Sequence, residues 1–414
     1  MDRKIQVCLG AIFFFASWTH AYSIGPYATI PNVLIGVCLV LFFVGRAGAQ
    51  EHPIIKIRSE DLSLLVFVAI TVVSCVAFSN SKTTNYLFAY LFSFVFFAIV
   101  VREIIVEFGS SVGLLNANLA GIVFVSIFTI AEFFLNVFLQ FDVQDYVVRT
   151  TPADALYFIF PRVYGFSEEP TYLAWYYNTL GPVGMVYLWT TCRVSAVLRT
   201  SVTFIFICGY VLTFSAAGPI FLLLAAVVAG VAQLFQISSH RFGKRSSRAV
   251  VTSFGLVLST LVIFVFFSSN LDGLPVSEFF DRILEKITLS QSNVDARAPK
   301  WSVDLARSLS QPLLGQGPGY LSSVNQHSSL NLFIFVALEQ GVIAAAALLL
   351  FYLSVGMRIW MAKIPYKKAI LTGYCAGVFH LFTMTQHYHP CLWLLIALAY
   401  LMRKENEVSI HTND

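Results

Sequence analysis

The sequence predicts an all-α polytopic integral membrane protein with about 12 transmembrane helices, and three observations carry that prediction. Hydrophobic residues make up 57% of the 414 and charged residues only 12%, against roughly 25% charged in soluble domains. Mean hydropathy is +0.76. Apolar runs separated by short polar breaks recur along the whole chain, and each bilayer crossing takes about 20 mostly apolar residues.

The runs centre on residues 5–20, 32–45, 62–79, 85–101, 114–137, 171–191, 201–216, 219–235, 249–268, 329–355, 369–386 and 390–402. Met1 to Lys4 followed by Ile5 to Trp18 has the charge and apolar run of a secretory signal. The next run follows too closely for that, so this one is read as the first helix. As a single helix, the 36 residues from 201 to 236 would reach about 54 Å at 1.5 Å per residue, too long for a hydrocarbon core of about 30 Å. A hairpin is therefore expected at Ala217-Gly218-Pro219.

Charge sets the orientation. With the N-terminus inside, the cytoplasmic segments hold 18 of the 26 Lys and Arg residues, the bias expected of cytoplasmic loops. Both termini are then cytoplasmic. Of the eight others, seven fall in just two outside loops (Arg149, Arg162, Arg282, Lys286, Arg297, Lys300 and Arg307), the exception being Lys82. The net charge of +4 marks topology rather than a basic surface, and no nucleic-acid partner is indicated. All seven cysteines lie in apolar segments, so neither a disulfide framework nor a thiolate metal site is expected. No internal repeat, Walker motif or dinucleotide fingerprint occurs, and no cofactor is expected.

The chain reads as a single transmembrane domain, 1–414, with a first periplasmic loop over 138–171 and a second over 269–328. Long loops in compact proteins are usually functional or disordered, and these two read as ordered. The first is aromatic-rich (Tyr157, Phe158, Phe160, Tyr164, Phe166). In the second, Trp301, Leu305 and Leu309 recur every four residues, an apolar stripe suited to the membrane surface.

The chemistry-bearing candidates concentrate in these loops. Arg162 lies just before the sixth span. It can snorkel from a helix end, or its guanidinium fork can grip the paired oxygens of a diphosphate. Glu168 and Glu169 stand where that span begins, where the positive end of a helix dipole favours carboxylates. Arg297 opens the helix carrying Trp301 and is either a solvated loop charge or a second cation beside Arg162, a pair able to neutralise a diphosphate without a metal. Lys300 and Arg307 are weaker candidates. His327 precedes Ser328 and Ser329, plausible N-caps for the tenth span. A nearby positive helix end would keep its imidazole neutral and able to take a proton, although a structural histidine fits as well. Gly315, Gly317 and Gly319 mark a tight turn.

His380, His387 and His389 lack the carboxylate or cysteine that would complete a metal site. Glu132 and Glu339 are nominally intramembrane acids, which point to function by default but can equally hold helices together.

In order and placement, these residues resemble the bacterial O-antigen polymerase and O-antigen ligase superfamily of membrane glycosyltransferases. The resemblance is carried by Arg162-x-x-Gly165 with Glu169-Pro170, by Arg297-x-x-x-Trp301, by Gly315-x-Gly317 followed by His327 and Glu339-x-Gly341, and by a last outer turn with Pro390 before a span containing Trp393. It covers roughly Arg162 to Met402. Where relatives often have Ser-Arg-Gly at the outer hairpin this chain reads Ser215-Ala216-Ala217-Gly218, so no arginine role carries over there. The Glu-Pro after Arg162 looks more like the polymerases than the ligases.

The resemblance implies transfer of a growing glycan from undecaprenyl diphosphate to a lipid-linked repeat unit at the periplasmic face of the bacterial inner membrane. Arg162 and Arg297 would hold the leaving diphosphate and His327 would deprotonate the acceptor. Glu168, Glu169, Tyr164, Trp301 and Lys300 would bind substrate, with membrane lipids and a chain-length regulator protein as partners. A ligase passing the glycan to lipid A-core is the alternative within the family. A flippase for the same lipid-linked sugars is the alternative outside it.

Overall fold

The computed structural model describes residues 2–19, 29–48, 55–141, 143, 163–213, 215, 217–239, 294–324, 330–385 and 389–411. The apolar run 249–268, the aromatic stretch 157–160 and the first part of the second loop lie outside them. Among the described residues the architecture is all-helical.

In chain order the helices are α1 (Asp2–Phe14), α2 (Ile30–Gly48), α3 (Asp61–Ala77), α4 (Thr83–Phe108), α5 (Ser111–Phe138), α6 (Pro170–Thr190), α7 (Ala196–Val211) and α8 (Ala217–Ser239). After them come α9 (Val294–Ser310), α10 (Tyr320–Ser323), α11 (Leu332–Gln340), α12 (Val342–Met361), α13 (Lys367–His380) and α14 (Pro390–His411). Side-chain caps open several of them, since the first turn leaves backbone N–H groups without helical partners. Ser110 accepts from Gly113 N, Ser195 from Leu198 N, and Asn331 from both Phe333 N and Ile334 N. Pro170 opens α6 at the position where a missing N–H costs nothing.

Of the described helices, α4, α5 and α12 are long and apolar enough to cross a membrane. Shorter apolar helices cover Ile30–Arg46, Asp61–Ala77, Ala196–Val211 and Ala217–Ala232. The middle of α4, Leu91–Val101, is π-helical and sets Phe94 edge-on to Phe67 of α3 at 4.9 Å and to Trp393 of α14 at 5.5 Å. Small residues let helices approach closely where lipid offers no hydrophobic drive for packing. A Cβ on Gly121 would sit 2.5 Å from Phe14 O, and one on Gly373 would sit 2.2 Å from Thr179 O.

Two expected spans are redrawn. The run 329–355 is not one helix: it breaks at Gly341, whose φ of +97° lies where side-chain-bearing residues are strained. The N-cap of the first piece is Asn331, not Ser328 or Ser329, because the helix starts only at Leu332. The expected break between α7 and α8 is present, but α7 ends at Val211 and α8 begins at Ala217. Ala217 is already helical and Pro219 falls in the first turn, where proline is tolerated.

Ion pairs gather at one end of the bundle. The Arg102 guanidinium, 1% exposed, forks onto the fully buried Asp61 carboxylate through two 2.8 Å hydrogen bonds and also reaches Glu103 at 3.0 Å. Arg58 donates to the same Glu103 at 3.0 Å and lies 4.3 Å over the Tyr400 ring. Arg358 donates to Glu60 at 2.6 Å, and the Tyr400 hydroxyl donates to that carboxylate as well. This network joins α4, α12 and α14 to α3 and the residues just before it.

The described parts of the polar loops lie at the opposite end. Running away from Asp61, α3 ends beside the turn at Gly317, whose hypothetical Cβ would meet Phe78 O at 2.2 Å. Thr83, at the start of α4, donates to Pro318 O at 3.1 Å. The first loop joins the same end, because Tyr172 of α6 packs 4.7 Å from His389, the residue before α14, and α14 then runs to Tyr400 at the charged end.

Candidate functional site

The described parts of the two loops are built alike, each pinned by a buried carboxylate. In the first, Glu132 of α5, 1% exposed, accepts from Tyr164 N at 3.2 Å and from Gly165 N at 2.8 Å. Gly165 has φ +55°, which turns the chain so that successive N–H groups can converge on one anion. Phe166 then inserts between aromatic rings, stacked on Trp18 at 3.9 Å and on Phe128 at 4.1 Å, and Ser167 donates to Ser17 O at 3.1 Å. The N-terminus of α6 follows, with Glu168 half-buried and Glu169 exposed.

The second loop is held more elaborately. Glu339, fully buried at the end of α11, accepts from Gly319 N at 2.9 Å and Leu321 N at 3.2 Å. Its backbone oxygen takes Gly317 N at 2.8 Å, and the neighbouring Leu338 O takes Gln316 N at 2.9 Å. Val342 N, just past the break, donates to Pro312 O at 2.8 Å. On the other side, Ser74 of α3 donates to Leu314 O at 2.6 Å and Asn80 to Pro318 O at 3.1 Å. Gly315, Gly317 and Gly319 all have positive φ, as the expected turn requires. The turn thus plugs into the end of a half-helix, and Gly315-x-Gly317 and Glu339-x-Gly341 form one interlocked unit.

The α9 helix packs on α11 with an unusual aspect: its polar side chains Asp304 and Ser308 are buried, while Leu305 and Leu309 are exposed. Trp301 and Lys300 are half-buried on it. Leu305 and Leu309 of the stripe therefore face away from the protein, the arrangement a lipid-facing surface requires, while Trp301 is only partly turned outward.

The loop between α13 and α14 bridges the two halves of this face. Leu332 N of α11 donates to Leu381 O at 2.8 Å, and His389, 2% exposed, lies 4.7 Å from the Tyr172 ring and 5.5 Å from the Trp175 ring of α6. Below it, His380 is fully buried and its Nε2 meets Asn178 Nδ2 at 2.9 Å. Asn178 also donates to Gly218 O at 2.7 Å. Because an amide nitrogen only donates, His380 accepts at Nε2 and carries its ring proton on Nδ1. Sequence reasoning passed over both histidines as ordinary residues near a short turn. The available signal was their position beside the Pro390 turn.

Of the candidate residues, Tyr164, Glu168 and Glu169 stand together on the first block, braced by α5 and α1. Lys300 and Trp301 stand on the second, braced by α11. Arg162, His327 and His387 lie outside the described residues, and so does the side chain of Arg297, whose backbone is helical in α9. The two acids, open in sequence to a functional or a structural role, each bind two loop amides. Comparison with known proteins gives no match, either to a family model or to a curated protein.

Proposed function

We propose that the chain is a polymerase of O-antigen or a related surface polysaccharide. It spans the bacterial inner membrane twelve times, with both termini cytoplasmic and the loop face toward the periplasm. The acceptor, a hydroxyl of a lipid-linked repeat unit, attacks the anomeric carbon of the growing glycan as the bond to undecaprenyl diphosphate breaks. The acceptor proton passes to His327, and Arg162 and Arg297 take up the charge developing on the leaving diphosphate. Glu168, Glu169, Tyr164, Trp301 and Lys300 contribute to substrate binding.

The observation that carries this reading is the use made of the two intramembrane carboxylates. A transporter places such groups on a path near the membrane midplane. Here Glu132 and Glu339 each accept two backbone N–H groups of loops at one end. Rigid loops on one face are what a one-sided transferase needs, because misplacing a catalytic group by about 1 Å can cost a hundredfold in rate.

The test is polymer synthesis by variants inserted at equal protein level. Arg297→Lys keeps the charge but loses the bidentate fork and should lose most activity, and His327→Ala should insert and be inactive. Full-length polymer from either would remove that residue's assigned role. Unpolymerised lipid-linked repeats trapped on the cytoplasmic face of a deletion strain would favour the flippase instead.

A further inference from the structure

Opposite the loops, the ion-pair network floors a cavity of about 810 Å³, within the roughly 300–1,000 Å³ typical of small-molecule sites. Its arginines are largely cancelled. Arg46 pairs with Glu107, Arg58 with Glu103, Arg403 with Glu407, and Arg358 with Glu60. Two further cations line it, Lys56 and Lys404. Among the described residues neither makes an ion pair, and the Lys404 ammonium donates only to Val106 O, at 3.0 Å. The cavity therefore keeps two uncancelled positive charges between walls of fixed guanidinium groups, and a concave site lined by one excess sign focuses its field on an incoming anion.

We propose that this cavity binds a phosphate group, with Lys56 and Lys404 as its principal ligands and the Arg58 guanidinium, held over Tyr400, as a positioned wall. The rim points to a lipid as the source. Arg46 closes one side, and from it the exposed apolar residues Val40, Phe43 and Val44 run along α2, a surface on which acyl chains can lie while the headgroup enters. Basic pockets beside membrane helices recruit anionic headgroups in this way. The inference does not depend on the reaction proposed for the loop face.

The experiment measures the melting temperature of the full chain in phosphatidylcholine nanodiscs containing increasing phosphatidylglycerol, and in detergent with sodium phosphate. Phosphatidylglycerol should raise the melting temperature of the native chain. The Lys56→Gln/Lys404→Gln variant should need roughly 30-fold more phosphatidylglycerol for the same rise, at about fivefold in affinity per lysine, while Lys56→Arg/Lys404→Arg keeps most of the response and shows that the loss is one of charge. A rise with sodium phosphate alone, also abolished in the glutamine variant, would identify free phosphate as the ligand of the same site. No response to either probe, or an equal response from the glutamine variant, would overturn the proposal.

Discussion

The Glu339 carboxylate accepts the backbone N–H of Gly319 at 2.9 Å, reaching back from the end of a half-helix to the turn that precedes it. Because the carboxylate is fully buried, the bond is part of how the loop is held rather than an incidental surface contact. Glu132 does the same for Gly165 at 2.8 Å. Two acids set in apolar runs thus each accept backbone N–H groups of a loop.

Replacing Glu339 by Gln leaves one acceptor oxygen where two N–H groups converge and turns an amide nitrogen toward the other. The buried, unpaired N–H should cost about 1–3 kcal/mol. The expected result for Glu339→Gln is a lower melting temperature in detergent together with faster protease nicking between residues 311 and 324. Unchanged nicking would mean that backbone contacts alone hold the turn.

Gly317→Ala should be poorly tolerated, since its φ is +94° and the new Cβ would lie 2.2 Å from Phe78 O. Gly36→Ala is the control: nothing lies within 4 Å of the added Cβ, and within a helix alanine is favoured over glycine by about 1 kcal/mol. Melting temperatures of the two variants should move in opposite directions.

Asp61 and Arg102 are both buried, so removing one strands the other's charge at a cost of about 3–5 kcal/mol. Asp61→Leu and Arg102→Leu should each destabilise the chain severely, and the double variant should be less damaged than either. A double-mutant cycle measures this coupling, and additive losses would show that the pair contributes little beyond its separate parts.

Acid should weaken the charged end. Burial works against the Glu60 carboxylate, but hydrogen bonds from the Tyr400 hydroxyl, its own backbone and Arg358, with the Arg358 charge, hold its carboxyl below the ordinary value of 4.5. The folded state therefore binds this proton less readily than the unfolded chain does. Its stabilising contribution is complete above the ordinary carboxylate range and is lost as pH falls through the depressed folded value. Between pH 7 and pH 3 the native chain should lose more melting temperature than Glu60→Gln.

Composition alone was enough to expect an all-helical protein with apolar helices, and the glycines at 315, 317 and 319 announced their turn. The break at Gly341 was not legible, because hydropathy averages over a window and Gly341 sits between apolar neighbours. Its conformation is set by tertiary contact: a Cβ there would lie 2.4 Å from Leu313 O. Periodicity did announce the outward stripe of Leu305 and Leu309 on α9, but it gave no sign that Asp304 on the same helix is buried. The burial of His380 and His389 was hidden for a related reason, as it depends on α6 and α8 rather than on their own neighbours. The roles assigned to Arg162, Arg297 and His327 rest on their motifs, and the loop scaffold adds only the frame on which they sit.

The most direct test of the proposed reaction is the gel ladder of lipopolysaccharide from the host strain with the gene deleted and then restored. We expect deletion to collapse the ladder to core plus a single repeat unit, because ligation of one unit still proceeds, and restoration to rebuild it. Core with no O-antigen, beside polymer accumulating on undecaprenyl diphosphate, would contradict the polymerase and identify a ligase.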